Sequence, residues 1–145
     1  MEAINKKIKI LAPISAVWDS LTTLPHMTAW MGDPDMKLEI ATTWEPGSPI
    51  VIRGFHHLRF ENKGTVLEYV PEQVLSYNFL SSMSRLPDIP ANHTVLRFVL
   101  QPEDAYTQLV LTLSNFPTDT IYQHLNFYWN GTLAMLKQHV EKSNV

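Results

Sequence analysis

Between Met36 and Phe116 apolar residues recur at every second position in run after run, and no other property of this chain restricts its folding so sharply. A period of two marks strands with one face against a core. In "MKLEIATTW", Leu38 and Ile40 share one face with Met36 and Trp44 in phase, while Lys37 and Glu39 share the other. Alternating runs follow at "PIVIRGF", "TVLEYV", "VLSYNFL", "TVLRFVL" and "TQLVLTL", parted by the turn-forming "EPGS", "VPEQ" and "QPEDA". With "INKKIKI" near the start, this makes about seven strands. The faces expected to be buried carry Leu75, Tyr77 and Phe79, then Leu96, Phe98 and Leu100, then Leu109, Leu111 and Leu113. Their polar partners leave the other face wet, so a one-sided antiparallel sheet must find a cover for its apolar face.

The last segment, "TDTIYQHLNFYWNGTLAMLKQHVEK", supplies that cover. Tyr122, Leu125, Trp129, Leu133, Leu136 and Val140 recur at three- and four-residue intervals, and Thr118 or Asp119 can cap the start. A helix of ~24 residues would reach about 36 Å, enough to cross a whole sheet. Gly131 costs such a helix roughly 1 kcal/mol relative to alanine, which hints at close approach of another element. Two shorter helices precede the β region. "APISAVWDSLTTL" places Ile14, Val17, Trp18 and Leu21 on one stripe with Pro13 in the first turn. "TLPHMTAWM" offers Thr23 as N-cap, Pro25 in the first turn, and Leu24, Met27, Trp30 and Met31 at helical spacing.

At 145 residues the chain suits one domain, 1–145, and at that length roughly two-thirds of the unfolded surface can be buried. Net charge is −3 and the basic residues are scattered apart from Lys6, Lys7 and Lys9, which argues against nucleic acid, a partner that selects a basic stripe. There is no cysteine, so disulfides, a thiol nucleophile and a zinc–thiolate site are excluded, and a reducing cytoplasm fits. No segment is apolar for the ~20 residues that a spanning helix needs, and the N-terminus lacks a signal-peptide run. A cytoplasmic protein with no membrane span is expected.

Motifs with chemistry are scarce. The sequence holds no His-Glu-x-x-His, phosphate-binding glycine loop, dinucleotide fingerprint or Gly-x-Ser-x-Gly elbow. Its six histidines lack metal-ligand spacing, so neither a metal nor a cofactor is expected. "RGFHHLRFENKG", residues 53–64, looks more promising, but successive strand residues face opposite ways, so His56 and His57 in a strand cannot serve one ion. The turn falls either at "NKG", with Gly64 at positive φ, or at "HHLR", with Gly64 marking a bulge in the next strand.

Three stretches carry a resemblance: "APISAVWDSLTTLPHMTAWM" with its Ala-Pro opening and its Val-Trp and Trp, "NKGTVLEYVPEQVLSYNF", and "YWNGTLAMLKQHVE". In this order they resemble the START-like, Bet v 1-like superfamily, and within it the group named for the activator of the Hsp-90 ATPase homologue C-terminal domain. The resemblance implies an α+β helix-grip fold. Its parts would be a curved antiparallel sheet of about seven strands wrapped on a long C-terminal helix, two short helices after strand 1, and a cavity between sheet and helix. It also favours the "HHLR" turn.

Such a cavity implies binding of a hydrophobic or aromatic small molecule or lipid. A polyketide cyclase or aromatase using the same cavity is the alternative, and a chaperone-interacting domain is a third, so an enzyme is not the first expectation. A homodimer is expected at the level of the family alone. Trp30, Phe55, Tyr77, Phe79, Phe98, Tyr122, Phe127 and Tyr128 lie on elements that should face the sheet–helix space, and Met27, Met31 and Met83 add a polarizable lining. His26 is the candidate proton carrier and Arg53 the candidate for an anionic ligand group. Arg53 alternates with Ile50 and Ile52 but is in phase with Phe55, and the local pattern leaves open which face is inward. The connection "SSMSRLPDIPANH", residues 81–93, is long enough for a lid, with Met83 and Leu86 reaching over the cavity.

Overall fold

The computed structural model describes residues 2–143. Strand β1 (Ile4–Ile10) leads into helices α1 (Ile14–Thr22) and α2 (Leu24–Trp30). Strands β2 (Glu39–Thr42), β3 (Pro49–His56), β4 (Leu58–Val70), β5 (Val74–Ser81), β6 (Thr94–Glu103) and β7 (Tyr106–Ser114) follow, and helix α3 (Asp119–Ser143) closes the order. All seven strands form one sheet, β1-β7-β6-β5-β4-β3-β2, with every neighbouring pair antiparallel. The sheet curves around α3, which gives the α+β helix-grip architecture. At 25 residues, α3 is about 37 Å long and buries Leu125, Trp129, Leu133, Leu136 and Val140.

The core lies between the inner face of the sheet and the three helices. Leu75 and Tyr77 of β5, Leu96, Phe98 and Leu100 of β6, and Leu109, Leu111 and Leu113 of β7 are all buried, as the alternation requires. Phe79 is only half-buried, because it stands at the edge of a cavity. The end of α3 is tied to the end of β1. The Leu11 N–H donates to Glu141 Oε2 at 2.8 Å, and Lys137 Nζ donates both to that carboxylate at 2.5 Å and to the Lys9 carbonyl at 2.7 Å.

Several local expectations need correcting. Pro13 is the N-cap of α1 rather than a first-turn residue. Thr23 occupies the N-cap of α2 but does not cap with its side chain, because the hydroxyl donates to Asp19 Oδ1 at 2.6 Å. Thr118 rather than Asp119 caps α3, its hydroxyl accepting the first-turn N–H of Ile121 at 3.1 Å. A short 3₁₀ turn, Pro34–Met36, takes Met36 out of β2, and Trp44 has left the strand with φ of 64°. The Trp44 indole N–H instead donates to the Thr22 carbonyl at 2.7 Å, closing the end of α1.

The two glycines also read differently. No atom lies within 4 Å of a Cβ built on Gly131, so no element approaches α3 there. At Gly64 a Cβ would stand 1.7 Å from the Asn78 carbonyl oxygen, so this glycine marks close backbone approach between β4 and β5. The register shift in that pair falls later, between Val66 and Glu68. The hairpin tip is at His57, with φ of 65°, and His56 pairs with Leu58 across it, so "HHLR" is the turn and the two exposed imidazoles crown it.

Candidate functional site

A cavity of about 590 Å³ lies between the inner face of the sheet and the first half of α3. Ile52 of β3, Tyr77 and Phe79 of β5, and Thr94 and Leu96 of β6 line it from the sheet. Ile121, Leu125, Tyr128 and Trp129 line it from α3, and Met31, Met36 and Leu38 close one end. His56 and Met83, both exposed, border it together with Leu86 and the exposed His124, and so mark where it opens.

The helical period explains the split along α3. Leu133, Leu136 and Val140 in its second half are packed against the core. In the first half Ile121, Leu125 and Tyr128 form a neighbouring strip at three- and four-residue spacing, and that strip meets the cavity.

The lining is electrostatically quiet, with no aspartate, glutamate, lysine or arginine in it. Burial pushes the Tyr77 phenol well above the ordinary tyrosine range, and burial likewise raises that of Tyr128. Both therefore stay protonated near neutral pH. The Tyr128 hydroxyl donates to the Met31 carbonyl at 2.7 Å, pinning α3 to the end of α2.

Of the residues singled out from sequence, Met31, Tyr77, Phe79, Met83 and Leu86 border the cavity, and Tyr128 joins them. The others lie elsewhere. Trp30 is buried with its indole N–H on the Ser20 carbonyl at 2.7 Å, which fastens α2 to α1. Phe98 is buried beside the cavity wall, its ring 6.5 Å from that of Tyr77 and 5.8 Å from that of Trp129. Tyr122 sets its ring edge against Phe116 at 4.9 Å. Met27 is core, and Phe127 is 81% exposed on the outer side of α3.

Arg53 and Phe55 point away from the cavity, because Ile50 and Ile52 take the inward face of β3. On the outer face Arg53 Nε donates to Glu61 Oε2 at 2.5 Å, and each partner favours the charged form of the other. His26 faces His139 of α3 rather than the cavity, with Nδ1 of the first 2.8 Å from Nε2 of the second.

The connection between β5 and β6 is more ordered than a slack loop. It contains 3₁₀ turns at Ser82–Ser84 and Pro90–Asn92. The Asn115 side-chain amide donates to the carbonyls of Ala91 at 3.1 Å and His93 at 2.7 Å, and His93 Nε2 lies 2.6 Å from Asp88 Oδ1.

Sequence reasoning missed Asn62, Thr94, His124 and Trp129 as lining residues. The strip beside the core stripe of α3 could have signalled His124, whereas Asn62 and Thr94 sit in runs where nothing separates a cavity wall from a wet strand face. Among the described residues no helix is long and apolar enough to cross a membrane.

Among solved structures, a protein from Cytophaga hutchinsonii determined in solution is similar at 28% identity, covering 99% of this chain and 96% of its own, with a TM-score of 0.80. A Chromobacterium violaceum protein reaches a TM-score of 0.81 at 14% identity, over 97% of this chain and 99% of its own. The Aha1 dimer from Colwellia psychrerythraea gives 0.76 at 24% identity, over 97% of each chain. No curated protein matches. Residues 11–141 match the family described as activator of Hsp90 ATPase homolog 1-like protein, so that both short helices, strands β2–β7 and nearly all of α3 fall within the match, and the chain belongs to that family.

Proposed function

We propose that this protein binds a hydrophobic small molecule or lipid in the cavity under α3, without a covalent step. The observation that carries this reading is the cavity itself. Its volume of about 590 Å³ lies within the usual range of small-molecule sites, and its walls are mostly aliphatic, aromatic and thioether groups. Such a lining costs stability unless something fills it, since well-packed cores leave few voids of this size. The methionines at one end, Met31 and Met36, and Met83 at the opening adapt to irregular ligands. His26, the candidate proton carrier, faces His139 outside the cavity, which supports binding without turnover over a cyclase-like reaction.

Native mass spectrometry of freshly isolated protein tests this directly. A retained mass of a few hundred daltons that is lost on denaturation is the expected result. If no ligand is retained and no member of a broad lipid and aromatic panel raises the melting temperature, the proposal fails.

A further inference from the structure

The outer face of α3 has no partner in the fold and little in it that suits water. A solvated helix face ordinarily carries charge, yet from Thr120 to Leu136 the helix holds no aspartate, glutamate, lysine or arginine. On its exposed side Gln123, Phe127, Asn130, Gly131, Ala134 and Gln138 recur at three- and four-residue spacing and form one stripe. Phe127 stands on that stripe at 81% exposure, the highest of any large apolar side chain among the described residues.

Gly131 is a second anomaly on the same stripe. A glycine costs a helix interior roughly 1 kcal/mol, and the fold makes no use of the space, since nothing lies within 4 Å of a Cβ built there. It leaves a notch, which Ala134 extends one turn further along.

The stripe is complementary to itself. Phe127 precedes Gly131 by four residues and Ala134 follows it by three. If a second α3 crosses the first antiparallel between Asn130 and Gly131, each Phe127 ring falls over Ala134 of the other copy and the two notches let the backbones close. Gln123 then comes level with Gln138 of the second copy. The ends agree in charge as well. Asp119 lies in the first turn and Lys142 in the last, both exposed, so the antiparallel pair brings each aspartate towards a lysine and each helix N-terminus towards a C-terminus. A parallel pair would bring like charges together.

We infer that two copies of this chain associate through the outer face of α3, antiparallel and crossing at Gly131. A helix about 37 Å long and about 10 Å wide removes on the order of 400 Å² per copy, near half of what a standard stable interface uses. The dimer is therefore weak and reversible, with a Kd on the order of 100 μM. It does not depend on what the cavity holds, because Ile121, Leu125 and Tyr128 meet the cavity from other sides of the same helix.

Sedimentation velocity from about 10 μM to about 1 mM tests this, and native protein should pass from monomer towards dimer across that range. Phe127→Glu should stay monomeric throughout with its melting temperature unchanged. Gly131→Leu should weaken the dimer at least about tenfold while stabilising the fold, two effects that no general folding defect produces together. Asp119→Lys and Lys142→Asp should each weaken association, and mixing the two variants should restore it, because only the antiparallel pair then regains both attractions. Native protein that remains monomeric at about 1 mM overturns the proposal, as does a dimer that survives Phe127→Glu. Monomeric native protein that floats with phosphatidylserine vesicles, and loses this in Phe127→Glu, overturns it in favour of a lipid surface.

Discussion

Nδ1 of His26 lies 2.8 Å from Nε2 of His139, a contact that ties α2 to the last turns of α3. At that distance one imidazole donates and the other accepts, so the pair holds best with at least one ring neutral. Asp19 of α1 faces the other side of His26, its Oδ2 3.5 Å from Nε2. Burial first, and then the charge of His26, hold His139 below the ordinary imidazole value of 6.5. A histidine lowered on folding leaves the unfolded chain binding more protons, so its contribution is complete above 6.5 and declines as pH falls through the lowered value. The melting temperature should therefore drop between pH 7 and pH 5, and His139→Gln should flatten that part of the profile.

Glu141 should act in a separate, more acidic window. The Leu11 N–H first, and Lys137 second, hold its carboxyl below 4.5. Its contribution is complete above 4.5 and is lost as pH falls through the lowered value. Glu141→Ala should cost about 1 kcal/mol at pH 7, the worth of the lost hydrogen bond to β1. Thermal melts across pH 2.5–7 would separate this limb from the histidine limb.

Two alanine substitutions should have opposite signs. Gly131→Ala fills open space on an exposed helical face and should add about 1 kcal/mol, or roughly 2–4 °C in melting temperature. Gly64→Ala drives a methyl into the Asn78 backbone and must part β4 from β5, at a cost above about 3 kcal/mol. Chemical denaturation of both variants checks the pair.

The β5–β6 connection should loosen when Asn115 loses its side chain. Asn115 has φ of 62°, so Asn115→Gly removes the two bonds to Ala91 and His93 without adding backbone strain. Amide exchange in residues 83–93 should quicken about tenfold while exchange in β7 stays unchanged. Mass-resolved hydrogen exchange reads this out.

The strands and their succession along the chain, the two short helices and α3 were legible because each has its own hydrophobic period and turn punctuation. The phase of β3 was not. Ile50, Val51 and Ile52 are all apolar, so the run looks inward on both faces until Arg53 is found paired with Glu61 outside. His26 and Tyr122 were misplaced for a different reason. Each lies on the correct helix, but which side of a helix meets a cavity depends on how far its other half sinks into the core. The cavity is the space left over by that packing, so residues such as Asn62 and Thr94 carry no local mark of it. Trp129 was read as core stripe, which it is, and only its unpartnered N–H sets it apart.

The strand order has a consequence for how the molecule keeps to itself. A sheet that runs from β1 to β2 without closing has two raw margins, each a template on which another chain could add a strand. Both are blunted. One margin carries the exposed Lys7 and the Lys9–Glu103 ion pair, which a second sheet aligned there would have to crowd, while Lys6 turns in to Asn126 and Asn130 of α3. The other offers only four residues before Trp44 turns the backbone aside. The protein can thus hold an unclosed sheet around its helix without inviting that sheet to be continued by a neighbour.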